Sequence, residues 1–114
     1  MTTDSVLEES FASLRRIFRP DGAGSVKIVI QFELTGEDGV EFIATVGDRA
    51  LNLERGRAPA AKVTMKMPAQ EFLDMLSGKL PTTEAWLSGK LKVGGNLIYA
   101  MRLAPVFKFG SAGK

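Results

Sequence analysis

The side chains that most often carry catalysis are missing from this chain: its 114 residues include no histidine and no cysteine. That removes the usual general base, the Ser-His and Cys-His nucleophile pairs, disulfides, and the commonest ligands of transition metals. Carboxylates, lysines, arginines and hydroxyls remain, and no motif arranges them for acid–base work. One short run has backbone that can meet an anion. Gly94-Gly95-Asn96 leads from a strand-like segment into a helix start, where free N–H groups can face a phosphate or carboxylate. No Lys-Ser or Lys-Thr follows the glycines, so it is not a P-loop, and a bare turn is the simpler explanation. Lys90, Lys92, Arg102 and Lys108 either steer an anionic headgroup or membrane surface, or form an ordinary solvated face. The expectation is a chain with no metal, no cofactor and no enzymatic activity of its own.

The apolar residues are more informative. Met65, Met67, Met75 and Met101 all fall between Val63 and Leu103, leaving only Met1 outside. Methionine is flexible and polarisable, so such a set suits either a pocket that accepts varied shapes or a packed core. Hydrophobic residues at 45% and charged residues at 25% are ordinary for one globular domain spanning residues 1–114. The net charge is only +2, but it is unevenly spread. Residues 1–54 carry five basic and ten acidic side chains, whereas residues 55–114 carry ten basic and three acidic. Such asymmetry can mark an anionic partner, but a solvated surface whose two halves mix in the fold is the simpler explanation. Nucleic acid is not expected, because the lysines are not interleaved with aromatics in any recognition motif.

Several elements must position these residues. A helical stripe of Val6, Leu7, Phe11, Leu14, Ile17 and Phe18 predicts a helix over 5–18, capped by Asp4 or Ser5 and ended by Pro20, Gly22 and Gly24. Alternation then predicts strands over 26–34, 40–46 and 49–55, joined by a loop at 35–39 and a tight turn at Gly47-Asp48. A link over 56–61 leads to a fourth strand over 62–67. Pro68 opens a helix with Phe72, Leu73, Met75 and Leu76 on its apolar face, closed by Gly78. Thr82 or Thr83 caps a short turn bearing Trp86 and Leu87, and a fifth strand follows over 90–93. Asn96 caps a last helix with Leu97, Ile98, Met101 and Leu103, which Pro105 should end, and residues 109–114 read as a tail.

In that order and spacing, the strand VTMKM, the helix AQEFLDMLSGK, the segment TTEAWLSGKLKVGGN and the amphipathic LIYAMRL resemble the sterol carrier protein type 2 (SCP-2) lipid-binding domain. A helix and a three-strand meander precede them where the family has them, so the resemblance covers nearly the whole chain. It implies an α+β fold with an N-terminal helix, a three-strand antiparallel meander and a crossover to two further strands. The resulting five-stranded mixed sheet has the order three-two-one-four-five, and helices cover one face around an apolar tunnel. Passing from strand three to strand four means covering roughly 14 Å at about 4.8 Å per step. Six link residues reach about 20 Å when extended, which is enough.

The resemblance also implies a non-catalytic carrier. Its partner would be a hydrophobic small molecule: a fatty acid, acyl-CoA, sterol-like lipid or isoprenoid. An anionic membrane surface or a partner enzyme served by an accessory subunit are further expectations. Trp86, Leu87, Leu97, Met101 and Phe107 are candidates for the helical wall of the tunnel, and Phe32, Phe42, Met65, Leu91 and Val93 for its floor. Periodicity cannot separate a residue that lines a hole from one that fills it. The acidic start MTTDSVLEESF lacks the pattern of a signal peptide, no apolar run approaches the length of a membrane span, and GSAGK is not a peroxisomal address. A cytoplasmic, bacterial rather than animal protein is the expectation.

Overall fold

The structure, a computed structural model, describes residues 2–103, 106 and 107. The expectations for Pro105, Lys108 and the tail at 109–114 lie outside the described residues. Helix α1 (Thr3–Ile17) begins two residues before the expected Ser5, because Thr2 rather than Asp4 or Ser5 caps it: Thr2 Oγ1 accepts the Ser5 N–H at 3.1 Å. Asp4 sits in its first turn and Arg15 and Arg16 in its last, where each opposes the local end of the helix dipole. Its buried stripe includes Val6, Leu14 and Ile17. Pro20 does more than stop a helix. It occupies the first turn of α2 (Pro20–Ala23), where a missing N–H costs nothing, and Gly24 at φ 48° ends that single turn.

The meander is β1 (Ile28–Thr35), β2 (Val40–Gly47) and β3 (Ala50–Arg55), with Phe32 opposite Phe42 across β1 and β2. Its second turn is one residue later than expected. Gly47 pairs with Ala50, and the two loop residues are Asp48 and Arg49, both left-handed at φ 52° and 61°. Two left-handed residues match the twist of a tight hairpin, and Asp tolerates that region better than most residues.

β4 (Val63–Pro68) returns parallel to β1, placing Met65 beside Phe32, and β5 (Lys92–Gly95) lies antiparallel on the outer edge. The sheet order is β3-β2-β1-β4-β5, the α+β arrangement expected from the resemblance. β5 is shifted two residues from the expected 90–93, so Gly94 and Gly95 are strand residues opposite Thr64 and Val63 rather than the turn itself.

The link over 56–61 crosses the sheet face that points away from the helices, and Gln31 fastens it there. Gln31 Nε2 donates to the carbonyls of Phe32, Phe42 and Gly56 at 3.1–3.3 Å, and its Oε1 accepts the Ala58 N–H at 2.7 Å. Arg57 adds ion pairs to Glu33 and Glu41. On the other face lie α1 and α3 (Ala69–Ser77), the latter closed by Gly78 at φ 88°. Between them and the sheet, Phe32 stacks on Phe42 at 4.7 Å, Phe72 tilts against both rings, and Phe11 meets Phe42 edge-on at 5.2 Å. This is the centre of the core.

Candidate functional site

The helices that frame the site are short. α4 (Thr82–Leu87) and α5 (Leu97–Met101) lie at the β4–β5 end of the sheet, beyond the part that α1 and α3 fill. α4 is held by Ala85, which is fully buried and whose carbonyl accepts the Leu91 N–H at 3.0 Å. That anchorage leaves the neighbouring Trp86 turned to the edge, half exposed. α5 is held at its start: Asn96 Oδ1 accepts the Ile98 N–H at 2.9 Å, and the Asn96 N–H donates to the Lys62 carbonyl at 2.9 Å. The approach is close enough that a Cβ on Gly95 would meet the Lys62 oxygen at 2.4 Å, and Gly95 itself has φ +92°. Glycine is therefore required at 95 for backbone reasons, without any anion.

Between these elements is a cavity of about 340 Å³. Val63 and Met65 of β4 and Leu91 and Val93 from the β5 side form its floor. Thr82, Thr83 and Trp86 of α4 form one wall, and Ala100 and Leu103 the other. The register explains the floor: Val63 and Met65 share a face of β4, and Met65 pairs with Val93. No wall residue is ionisable. Its polar wall residues are Thr82 and Thr83; the Thr82 hydroxyl is closed off beneath the surface and has no hydrogen-bond partner among the described residues.

The cations gather outside the cavity. Lys62 Nζ and the Arg102 guanidinium lie 5.8 Å and 5.7 Å from the centre of the Tyr99 ring on α5, within reach of a cation–π attraction. On the opposite face of β4 and β5, Lys66 faces Lys92 in the strand register, and both line a hollow of about 180 Å³ with Lys90, Thr35, Met67, Pro68 and Gly89. No group of side chains able to hold a metal ion occurs among the described residues.

Of the ten residues proposed from sequence, the structure brings Met65, Trp86, Leu91 and Val93 together around the cavity. The other six are elsewhere. Phe32 and Phe42 are fully buried in the central core, because α1 and α3 close over that part of the sheet. Phe107 is buried too, but in a bridge to Phe18 whose rings are 5.8 Å apart. Leu87, Leu97 and Met101 point outward, at 78%, 62% and 76% exposure. Sequence reasoning missed Val63, Thr82, Thr83, Ala100 and Leu103 as wall residues. Val63 was within reach, since it shares the parity of Met65. Thr82 and Thr83 read as capping residues, and Ala100 is too small to register in an apolar stripe.

A mixed sheet with helices on one face and an apolar hollow at its edge, free of reactive groups, is the frame of a lipid-binding domain. The model of the SCP-2 sterol transfer family matches residues 19–108, and the chain belongs to that family. It is 37% identical over 98 residues to hydroxysteroid dehydrogenase-like protein 2 of Bos taurus, covering 85% of this chain but only 23% of that protein. The chain thus spans about a quarter of the length of this relative. Among solved structures, sterol carrier protein 2 like 2 from Aedes aegypti superposes with a TM-score of 0.72 at 20% identity, covering 91% of this chain and 94% of that one. A solution structure of the palmitated form of that mosquito protein gives 0.70 at 22% identity, covering 91% and 92%. UbiJ-SCP2, described as a ubiquinone synthesis protein, gives 0.61 at 20% identity, covering 89% and 88%. No helix among the described residues is long and apolar enough to cross a membrane.

Proposed function

We propose that the domain is a non-catalytic carrier that holds one slender hydrophobic chain, such as a fatty acyl group, in the cavity between β4, β5, α4 and α5. The observation that carries this reading is the wall itself: seven apolar side chains and two threonines around about 340 Å³, with no ionisable group facing in. That volume is at the lower end of small-molecule pockets, roughly 300–1,000 Å³, and favours a single chain over a bulky ring system. The palmitated form of the mosquito relative supports the same ligand class. Burying about 14 methylenes at ~0.8 kcal/mol each contributes ~11 kcal/mol before association costs of about 4–15 kcal/mol. At the low end of those costs about 7 kcal/mol remains, which corresponds to micromolar affinity with little headgroup selectivity.

Ala100 is the position that tests it, because it is half-buried in the wall while its neighbour Met101 faces outward. Ala100→Trp should fill the cavity and abolish palmitate binding by native mass spectrometry, with the circular dichroism of the folded protein retained. An Ala100→Trp variant that binds palmitate as well as the parent places the ligand elsewhere.

The match to only a quarter of a dehydrogenase-like relative favours a second reading. The same cavity then presents an isoprenoid or other lipid intermediate to a partner enzyme, and the fold shared with a ubiquinone synthesis protein is in keeping with that reading. Weak binding to free lipids together with a stoichiometric enzyme in the purified complex would favour this alternative over a free carrier.

A further inference from the structure

Five large apolar side chains are exposed among the described residues, and all five belong to α4 and α5: Trp86, Leu87, Leu97, Ile98 and Met101. By contrast α1, the longest helix, turns its apolar stripe into the core. The exposed set is thus confined to the two helices that frame the cavity, with Trp86 belonging to both the wall and the rim. Exposed large apolar side chains gathered on two helices around one cavity mark an interaction site. Its surroundings are cationic. From Lys79 to Leu103 the chain has four cations against the single carboxylate of Glu84; Lys90 and Lys92 line the hollow on the far face of the sheet, while Arg102 stands on the rim. Lys62 joins Arg102 beside Tyr99, and no ion pair engages any of these cations among the described residues.

We propose that the α4–α5 rim docks on the surface of an anionic lipid bilayer, with Leu97, Ile98 and Met101 entering the headgroup boundary and Lys62 and Arg102 meeting lipid phosphates. Helices of six and five residues cannot span a bilayer, but an apolar face flanked by cations suits one that lies in the interface. The charge pattern selects this occupant over a second copy of the chain, since a two-fold contact through this face would set its cations against one another. Docked this way, the cavity mouth opens onto the phase from which an acyl chain is taken. The inference rests on the carrier reading for its purpose, whereas docking itself requires no loaded cavity.

The test is co-sedimentation of the full chain with phosphatidylcholine vesicles, with and without phosphatidylglycerol. Binding should be at least about tenfold tighter to the anionic vesicles and should weaken as salt rises. Chains brominated near the headgroup should quench Trp86, the only tryptophan. Leu97→Glu with Ile98→Glu, both at exposed positions, should retain the parent melting temperature and lose vesicle binding about tenfold or more. Arg102→Glu should lose it about fivefold. Absence of parent binding to anionic vesicles, or binding unchanged in the double glutamate variant, overturns the proposal. If palmitate still binds in solution in that case, the docking surface fails while the cavity stands. A parent dimer that the double variant converts to monomer, with no vesicle binding by either, assigns the face to a second copy and also overturns it.

Discussion

Gln31 and Arg57 both tie the crossover link to the sheet, yet their contributions should differ widely. Gln31 is 3% exposed, and all its hydrogen bonds go to backbone groups. Gln31→Leu keeps the volume but strands the Ala58 N–H and the Gly56 carbonyl, and should destabilise by about 1–3 kcal/mol. Urea unfolding checks this through a lower midpoint at unchanged slope. Arg57 is 62% exposed beside Glu33 and Glu41, so water and salt screen its pairs. Arg57→Ala should change stability by less than about 1 kcal/mol in the same titration. The sequence places Gln31 on the outward face of β1 by alternation. Only the folded chain reveals that the link covers that face and makes the glutamine interior.

At the scale of elements, the joint between β5 and α5 decides where the cavity wall stands. Gly95 has a left-handed backbone, and an added Cβ would strike the Lys62 carbonyl oxygen, a backbone atom just before β4 that no rotamer change can move. Gly95→Ala should cost about 1–3 kcal/mol, read as a lower melting temperature, and should weaken ligand binding by displacing α5. Gly94, one residue earlier, is the control. Nothing lies within 4 Å of its would-be Cβ, so Gly94→Ala should fall within about 0.5 kcal/mol of the parent. The glycine pair is conspicuous in sequence as a candidate anion loop, but its two members have different roles, and the reason at 95 is a backbone contact with Lys62.

Across the whole molecule, one hydrophobic core runs along the sheet, with its aromatic centre and the cavity at different places on it. α1 and α3 seal the aromatic cluster of Phe11, Phe32, Phe42 and Phe72 over its centre, while α4 and α5 stand over its β4–β5 end with a cavity between. The separation predicts that stability and binding can be changed independently. Phe42→Ala should destabilise by about 3–5 kcal/mol through the void it leaves, while the remaining folded protein binds palmitate with unchanged affinity. Denaturant unfolding gives the first quantity and titration of the ligand well below the unfolding midpoint gives the second. A parallel loss of affinity would mean that the aromatic centre and the cavity are coupled.

The sequence by itself determined the five strands and every helix but the single turn α2, because alternation, helical stripes and turn residues are local signals with fixed periods, while the α+β arrangement came through the resemblance to the SCP-2 family. It also excluded imidazole and thiol chemistry outright, since those side chains are absent. It supplied four of the nine cavity residues, Met65, Trp86, Leu91 and Val93, each apolar and on the correct face of its own element. Tertiary structure decided the rest. Phe32 and Met65 are paired in the β1–β4 register and are equally apolar, yet one lies under two packed helices and the other beside a gap. Likewise Ala100 and Met101 are adjacent on α5, and only its rotation over β4 turns the small residue inward and the large one to solvent. Periodicity records which side of an element is apolar. Whether that side meets a neighbour, a cavity or the surroundings depends on contacts between residues far apart in the chain.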